Sequence, residues 1–214
     1  RFQDAAKTSG GRMTVEKQSF VQPAGPRIPV PTTITNVIAT LHGSQTESAG
    51  RTYVVSGHLD SRVTDVLNGT SDAPGADDDG SGVSAVLELA RVMSTRHFDA
   101  TIVFAVFSGE EQGTFGSVNF AARLKAAGTN VAGMFSNDII GSSLGMNGVR
   151  DRHDVRLFAE GPPANETAQQ ASIRRTMGGE NDSPPRELAR FVKDAADAAV
   201  PEMNVWIIYR TDRF

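Results

Sequence analysis

The chain of 214 residues predicts an α/β fold, a sandwich of helices around a mostly parallel central sheet. Three observations predict it. Strand-like and helix-like segments alternate along the chain, the pattern of helices packed on a parallel sheet. Thr101 to Phe107 (TIVFAVF) is continuously apolar and strand-sized, as a central strand covered on both faces must be. Met13 to Val21 and Thr33 to Leu41 are strand-like and separated by a proline-rich link, Pro23 to Pro31, which fits an antiparallel pair at one edge.

Taken in order, Arg1 to Lys7 reads as the last turns of a helix, stopped by Ser9-Gly10-Gly11. The edge pair follows. Tyr53 to Gly57 is a short apolar strand that delivers His58 to its C-terminal end, and Arg62 to Pro74 is a polar, turn-rich loop. Ser81 or Asp79 caps a helix through Met93, with Val83, Val86, Leu87 and Ala90 on one face. Beyond the central strand a helix is predicted over Ser117 to Ala127, with Val118, Ala121 and Leu124 inward and Gly128 as its stop. Val131 to Asn137 and Val155 to Glu160 are strands. Gly161 to Asp182 is rich in Gly, Pro, Ala and Gln without a clear period, and reads as a mobile loop with room for one helical turn. Ser183-Pro184-Pro185 opens a helix through Ala199, with Leu188, Phe191, Val192 and Ala195 as its buried stripe. Asn204 to Tyr209 is the last strand.

Composition narrows the function classes. Hydrophobic content of 39% and charged content of 21% are ordinary for a soluble globular protein. With 21 basic against 25 acidic residues, no nucleic-acid partner is expected. No apolar run approaches membrane-spanning length. The absence of cysteine excludes disulfides, thiolate metal sites and cysteine nucleophiles. The length suits one domain over residues 1–214, and both ends read as cut rather than finished.

The chemistry gathers at the ends of apolar segments: His58-Leu59-Asp60, Asp77-Asp78-Asp79, Glu110-Glu111 and Asp138. In a sheet of this kind, sites lie beyond the C-terminal ends of the strands, where His58, Glu110, Glu111 and Asp138 fall. Carboxylates brought together repel and resist desolvation unless something positive sits among them. A pair of divalent metal ions answers that need and points to a metal-dependent hydrolase. Each cluster taken singly also has a plainer reading. His58 is either a metal ligand steadied by Asp60 or a strand-end histidine satisfied by a turn aspartate. Asp77-Asp78-Asp79 is either a solvated capping loop or a carboxylate bridge between ions; the small residues around it favour the bridge. Glu110 and Glu111 are two surface charges, or a proton acceptor beside a metal ligand. Asp138 is a turn cap or a terminal ligand.

Together the segments GHLDS (Gly57 to Ser61), APGADDDGSG (Ala73 to Gly82), FSGEEQGTFGS (Phe107 to Ser117) and SND (Ser136 to Asp138) resemble the M28 family of co-catalytic zinc peptidases. The resemblance implies a three-layer sandwich with a mixed, mostly parallel central sheet of zinc-exopeptidase type, incomplete at the C-terminus. It implies two zinc ions, with His58 and Asp138 on one, Glu111 on the other and Asp78 bridging them. Glu110 is the implied general base, and Asp60 the implied support of His58. A cis peptide bond at Asp78-Asp79 is implied as well. The implied activity is removal of N-terminal residues from peptides, with carboxypeptidase and dipeptidase action as variants. A single-zinc, glutaminyl cyclase-like acyltransferase and a catalytically impaired binding domain are the alternatives. The family's habit implies export, to the periplasm or outside the cell. One departure stands out: the histidine the family supplies to the second zinc is absent near Tyr209 to Phe214, and neither His42, His97 nor His153 has a matching context. One tightly held zinc, at His58, Asp78 and Asp138, is therefore expected.

Overall fold

The computed structural model describes residues 1–180 and 182–211; the expected approach to the missing histidine lies partly outside them, at residues 212–214. The chain forms two compact units, Arg1–Ser142 and Ser143–Phe214.

The first unit contains α1 (Phe2–Thr8), β1 (Met13–Gln22), β2 (Thr32–Leu41), β3 (Arg51–His58), α2 (Gly80–Met93), β4 (Thr101–Phe107), α3 (Phe115–Ala126) and β5 (Asn130–Ser136). Its five-stranded sheet has the order β1-β2-β4-β3-β5. β1 is the expected antiparallel edge strand on β2, and β2 is also antiparallel to β4. β3 runs parallel to both β4 and β5, so three strands end on the same side of the sheet. The sheet is therefore mixed.

β4 is central, and its side chains show why an unbroken apolar run is needed there. Ile102, Phe104 and Val106 point to one face, where α1 and α2 bring Phe2, Ala5, Val86 and Ala90. Val103, Ala105 and Phe107 point to the other, where α3 brings Phe120. The Phe107 and Phe120 rings meet at 5.4 Å. This is a helix–sheet–helix sandwich. One expectation for α3 is corrected: Phe120 carries the contact, and Val118 is exposed. Phe120 presents the larger apolar surface, so the helix turns that side to the sheet.

The second unit contains β6 (Asp154–Glu160), α4 (Ala168–Thr176), α5 (Pro184–Ala199) and β7 (Asn204–Arg210). β6 and β7 pair in parallel, in register from Asp154↔Asn204 to Glu160↔Arg210. Two sequence expectations are corrected here. The segment read as a loop holds nine helical residues, begun by a capping box in which Thr167 and Gln170 satisfy each other's backbone N–H groups. In α5, Ser183 caps the helix as expected, but Arg186 and Ala189 are its buried residues, while Phe191 is 68% exposed. Among the described residues no helix is long and apolar enough to cross a membrane.

Candidate metal centre

The parallel strands β3, β4 and β5 end together, and the segments leaving them carry the acidic residues. His58 closes β3 and is buried. Its Nδ1 lies 3.0 Å from the backbone oxygen of Asp60. A carbonyl only accepts, so Nδ1 carries the proton and Nε2 is the ring atom turned to the acids. Nε2 is 3.0 Å from Asp78 Oδ1 and 3.9 Å from Asp138 Oδ1. These three ligand atoms all lie within 4.8 Å of one another.

Asp79 holds this arrangement from behind. Fully buried, it caps α2 by accepting from Gly82 N–H at 2.9 Å, and it accepts from His58 N–H at 2.8 Å. One carboxylate thus ties the start of α2 to the end of β3. The Asp78–Asp79 peptide bond is cis, as the resemblance implied. Asp77 accepts from Gly141 N–H at 2.9 Å and so fixes the turn just after Asp138. The sequence allowed Asp79 as a cap; its hold on His58 and the part played by Asp77 carried no sequence signal.

Asp60 departs from expectation. Its carboxylate stays 3.9 Å from His58 Nδ1 and instead accepts from the N–H groups of Glu110, at 3.2 Å, and Glu111, at 3.0 Å. The turn after β3 aims the carbonyl at the ring and the side chain at the segment leaving β4. Asn36, wholly buried on β2, steadies that same segment: its side chain donates to Gly116 O and accepts from Ser108 N–H. Glu110 lines a cleft of about 120 Å³ together with His58 and Asp138. Glu111 is not in the His58–Asp78–Asp138 group: its carboxylate accepts from Arg62 Nε at 2.7 Å.

The electrostatics follow from crowding. Burial pushes the Glu110 carboxyl above its usual range, with Asp138, Glu111 and Asp60 adding to the push and His58 opposing it. Burial likewise raises Asp138, reinforced by Asp78, Asp79 and Asp77 and opposed by His58. Burial works against protonating His58, but Glu110, Asp79 and Asp60 outweigh it, and its pKa is raised. Protons are thus drawn in where positive charge is wanted. One imidazole nitrogen and two carboxylate oxygens form a donor set suited to zinc. Among the described residues no second donor group of this kind assembles around Glu111.

Comparison with known proteins bears on what this arrangement is. The profile of peptidase family M28 matches residues 36–176, two thirds of the chain, and the match contains every residue just described at the centre. The chain belongs to peptidase family M28. A "Probable zinc metalloprotease" of Leptosphaeria maculans is 54% identical to this M28 chain over 98% of it, and one of Pyricularia oryzae is 50% identical over 98%. The M28 chain spans 48% and 41% of those proteins, about half their length or less. Among solved structures, the LapA aminopeptidase of Legionella pneumophila matches 96% of the chain and 43% of its own length, with a TM-score of 0.58 and 20% identity. A Zn-dependent exopeptidase from Parabacteroides distasonis matches 98% of the chain and 67% of its own length, at TM-score 0.60 and 19% identity. A glutaminyl cyclase from Bacteroides thetaiotaomicron matches 99% and 68%, at TM-score 0.61 and 16% identity. At such identities these likenesses speak for the fold, which is that of the zinc exopeptidases.

Proposed function

We propose that this M28 chain carries the catalytic centre of a zinc-dependent exopeptidase that removes the N-terminal residue of peptides. The observation carrying the proposal is the convergence of His58 Nε2, Asp78 Oδ1 and Asp138 Oδ1, with Glu110 in the same cleft. His58, Asp78 and Asp138 would hold the ion. When bound, zinc supplies Lewis acidity toward water and toward a substrate carbonyl oxygen. Glu110 takes the proton from the attacking water and passes it to the departing amine. Its raised pKa suits it to hold that proton between the two transfers. Asp60, through the N–H groups of Glu110 and Glu111, fixes the backbone from which Glu110 lines the cleft.

Hydrolysis of aminoacyl amides and peptides by the zinc-loaded protein tests the proposal. Glu110→Gln is expected to lower kcat by about 10²–10⁴-fold with zinc still bound. A folded, zinc-loaded protein that cleaves no peptide, or whose cleavage is indifferent to Glu110→Gln, overturns it. A second reading, single-zinc cyclisation of N-terminal glutamine, draws support from the one donor group assembled here. Release of ammonia from glutaminyl peptides without peptide cleavage would select it.

A further inference from the structure

The loop that joins His58 to Asp78 carries a pattern that the metal centre does not use. Three asparagines stand in the order Asn-x-Ser/Thr with x other than proline: Asn68-Gly69-Thr70, Asn165-Glu166-Thr167 and Asn181-Asp182-Ser183. That order accepts an N-linked oligosaccharide when it lies on a surface loop of a secreted protein. Asn181 lies outside the described residues. Asn165 is exposed in the turn before α4, but the Thr167 hydroxyl beside it is drawn into the helix cap. At Asn68, Gly69 and Thr70 all three residues are exposed, and no helix or strand lies between β3 and α2. Ser61 Oγ donates to the carbonyl of Ala73 at 2.6 Å and closes the base of the loop, so Asn68 stands toward its tip.

The local geometry leaves the amide ready for substitution. Asn68 Oδ1 accepts from Thr70 N–H at 3.0 Å, from the Thr70 hydroxyl at 3.1 Å and from Ser71 N–H at 3.0 Å. Two of those donors are backbone N–H groups, so the atom facing them is the amide oxygen, as in an Asx turn. Nδ2 donates one hydrogen to Ser71 Oγ at 2.9 Å. An amide nitrogen carries two hydrogens, and a sugar that replaces the second leaves all four bonds in place. We propose that Asn68 carries an N-linked oligosaccharide and that the protein therefore passes through the secretory route. The co-reactant is an oligosaccharide held on a lipid diphosphate. Nδ2 attacks its anomeric carbon, and a C–N bond forms as the C–O bond to the diphosphate breaks. The lipid diphosphate leaves with the bonding electrons, and the amide gives up one proton. Thr70 supplies the hydroxyl that the acceptor needs two residues beyond the asparagine.

Peptide mapping by mass spectrometry tests this on the full-length protein, expressed from its complete gene in a eukaryotic host. Wild type, Asn68→Gln, Thr70→Ala and Thr70→Ser are compared, each before and after treatment with an amidase that releases N-linked glycans. In the wild type the peptide containing Asn68 is expected to carry an oligosaccharide, and the amidase to leave a carboxylate in place of the Asn68 amide. Thr70→Ser keeps the hydroxyl and is expected to keep the sugar. Asn68→Gln and Thr70→Ala are expected to lose it from this peptide. A wild-type peptide that is unmodified at Asn68 overturns the proposal, and this reading does not depend on whether any variant folds. A sugar that survives in Thr70→Ala, or one that resists the amidase and is removed by alkaline elimination from Thr70 or Ser71, overturns it as well.

Discussion

At the scale of single residues, the centre separates the work of Asp60 into two parts. Its carbonyl fixes the His58 ring, and its carboxylate fixes the backbone under Glu110 and Glu111. Replacement of the side chain removes only the second. Asp60→Ala is therefore expected to leave zinc affinity within a few-fold of wild type and to lower kcat, with titration calorimetry and peptide hydrolysis as the paired measurements. A loss of zinc affinity of about 10–100-fold, usual when a ligand's supporting partner is deleted, would instead mean that the carboxylate does steady His58. The positions of these residues in the chain were legible: His58, Glu110, Glu111 and Asp138 stand at or just beyond strand ends, where a site of this fold class lies, and Asp78 stands just before α2. The partner each one takes was not. Arg62 follows the GHLDS segment as an ordinary loop residue, and nothing in its neighbours along the chain announces an ion pair with Glu111, far along the sequence. The role of Asn36 was hidden for the same reason, because a polar residue inside a strand shows its use only once its partners are known.

At the scale of elements, periodicity located the helices better than it oriented them. The apolar stripe of α2 was read correctly, since Val86 and Ala90 are buried and Val83 and Leu87 pack against the same core. In α5, Leu188 and Val192 are half-buried, but Phe191 is exposed and Arg186 is buried, because the arginine caps backbone oxygens of Glu160, Gly179 and Asp182. A hydrophobicity pattern assigns such a residue to solvent; three carbonyl acceptors draw it inside. α4 was missed because a short polar helix owes its start to the Thr167–Gln170 capping box rather than to an apolar face. The two corrected aromatic positions give a direct test. Phe120→Ala is expected to destabilise the protein by about 3–5 kcal/mol, and Phe191→Ala to stay within about 0.5 kcal/mol. Denaturant midpoints of the two variants check this; equal losses would show that the faces of α3 and α5 are wrongly assigned.

At the scale of the whole molecule, a metal ion held by His58 at the end of β3, Asp78 just before α2 and Asp138 just after β5 would couple those three elements to one another. An ion that binds only this folded arrangement stabilises it by mass action, by about 2.7 kcal/mol at a free concentration 100 times the dissociation constant. Chelation is thus expected to lower Tm by several degrees in the wild type and to leave His58→Ala unmoved, with calorimetric scans taken with and without chelator. A Tm indifferent to chelation in both would mean that no such coupling exists. The sequence by itself determined the strand that sits centrally, the side of the sheet on which the chemistry gathers, and the donor types available there. Those follow from local composition, from the period of two that places alternate residues on opposite faces of β4, and from the order of the acidic segments. Only the tertiary structure decided which oxygen of Asp60 meets the imidazole, that Asp79 ties α2 to β3, and that Glu111 answers to Arg62 rather than to the group around His58. Those choices depend on distances and rotamers between segments remote in the chain, and a side chain's electrostatic partner is settled by what lies within a few ångströms of it in space.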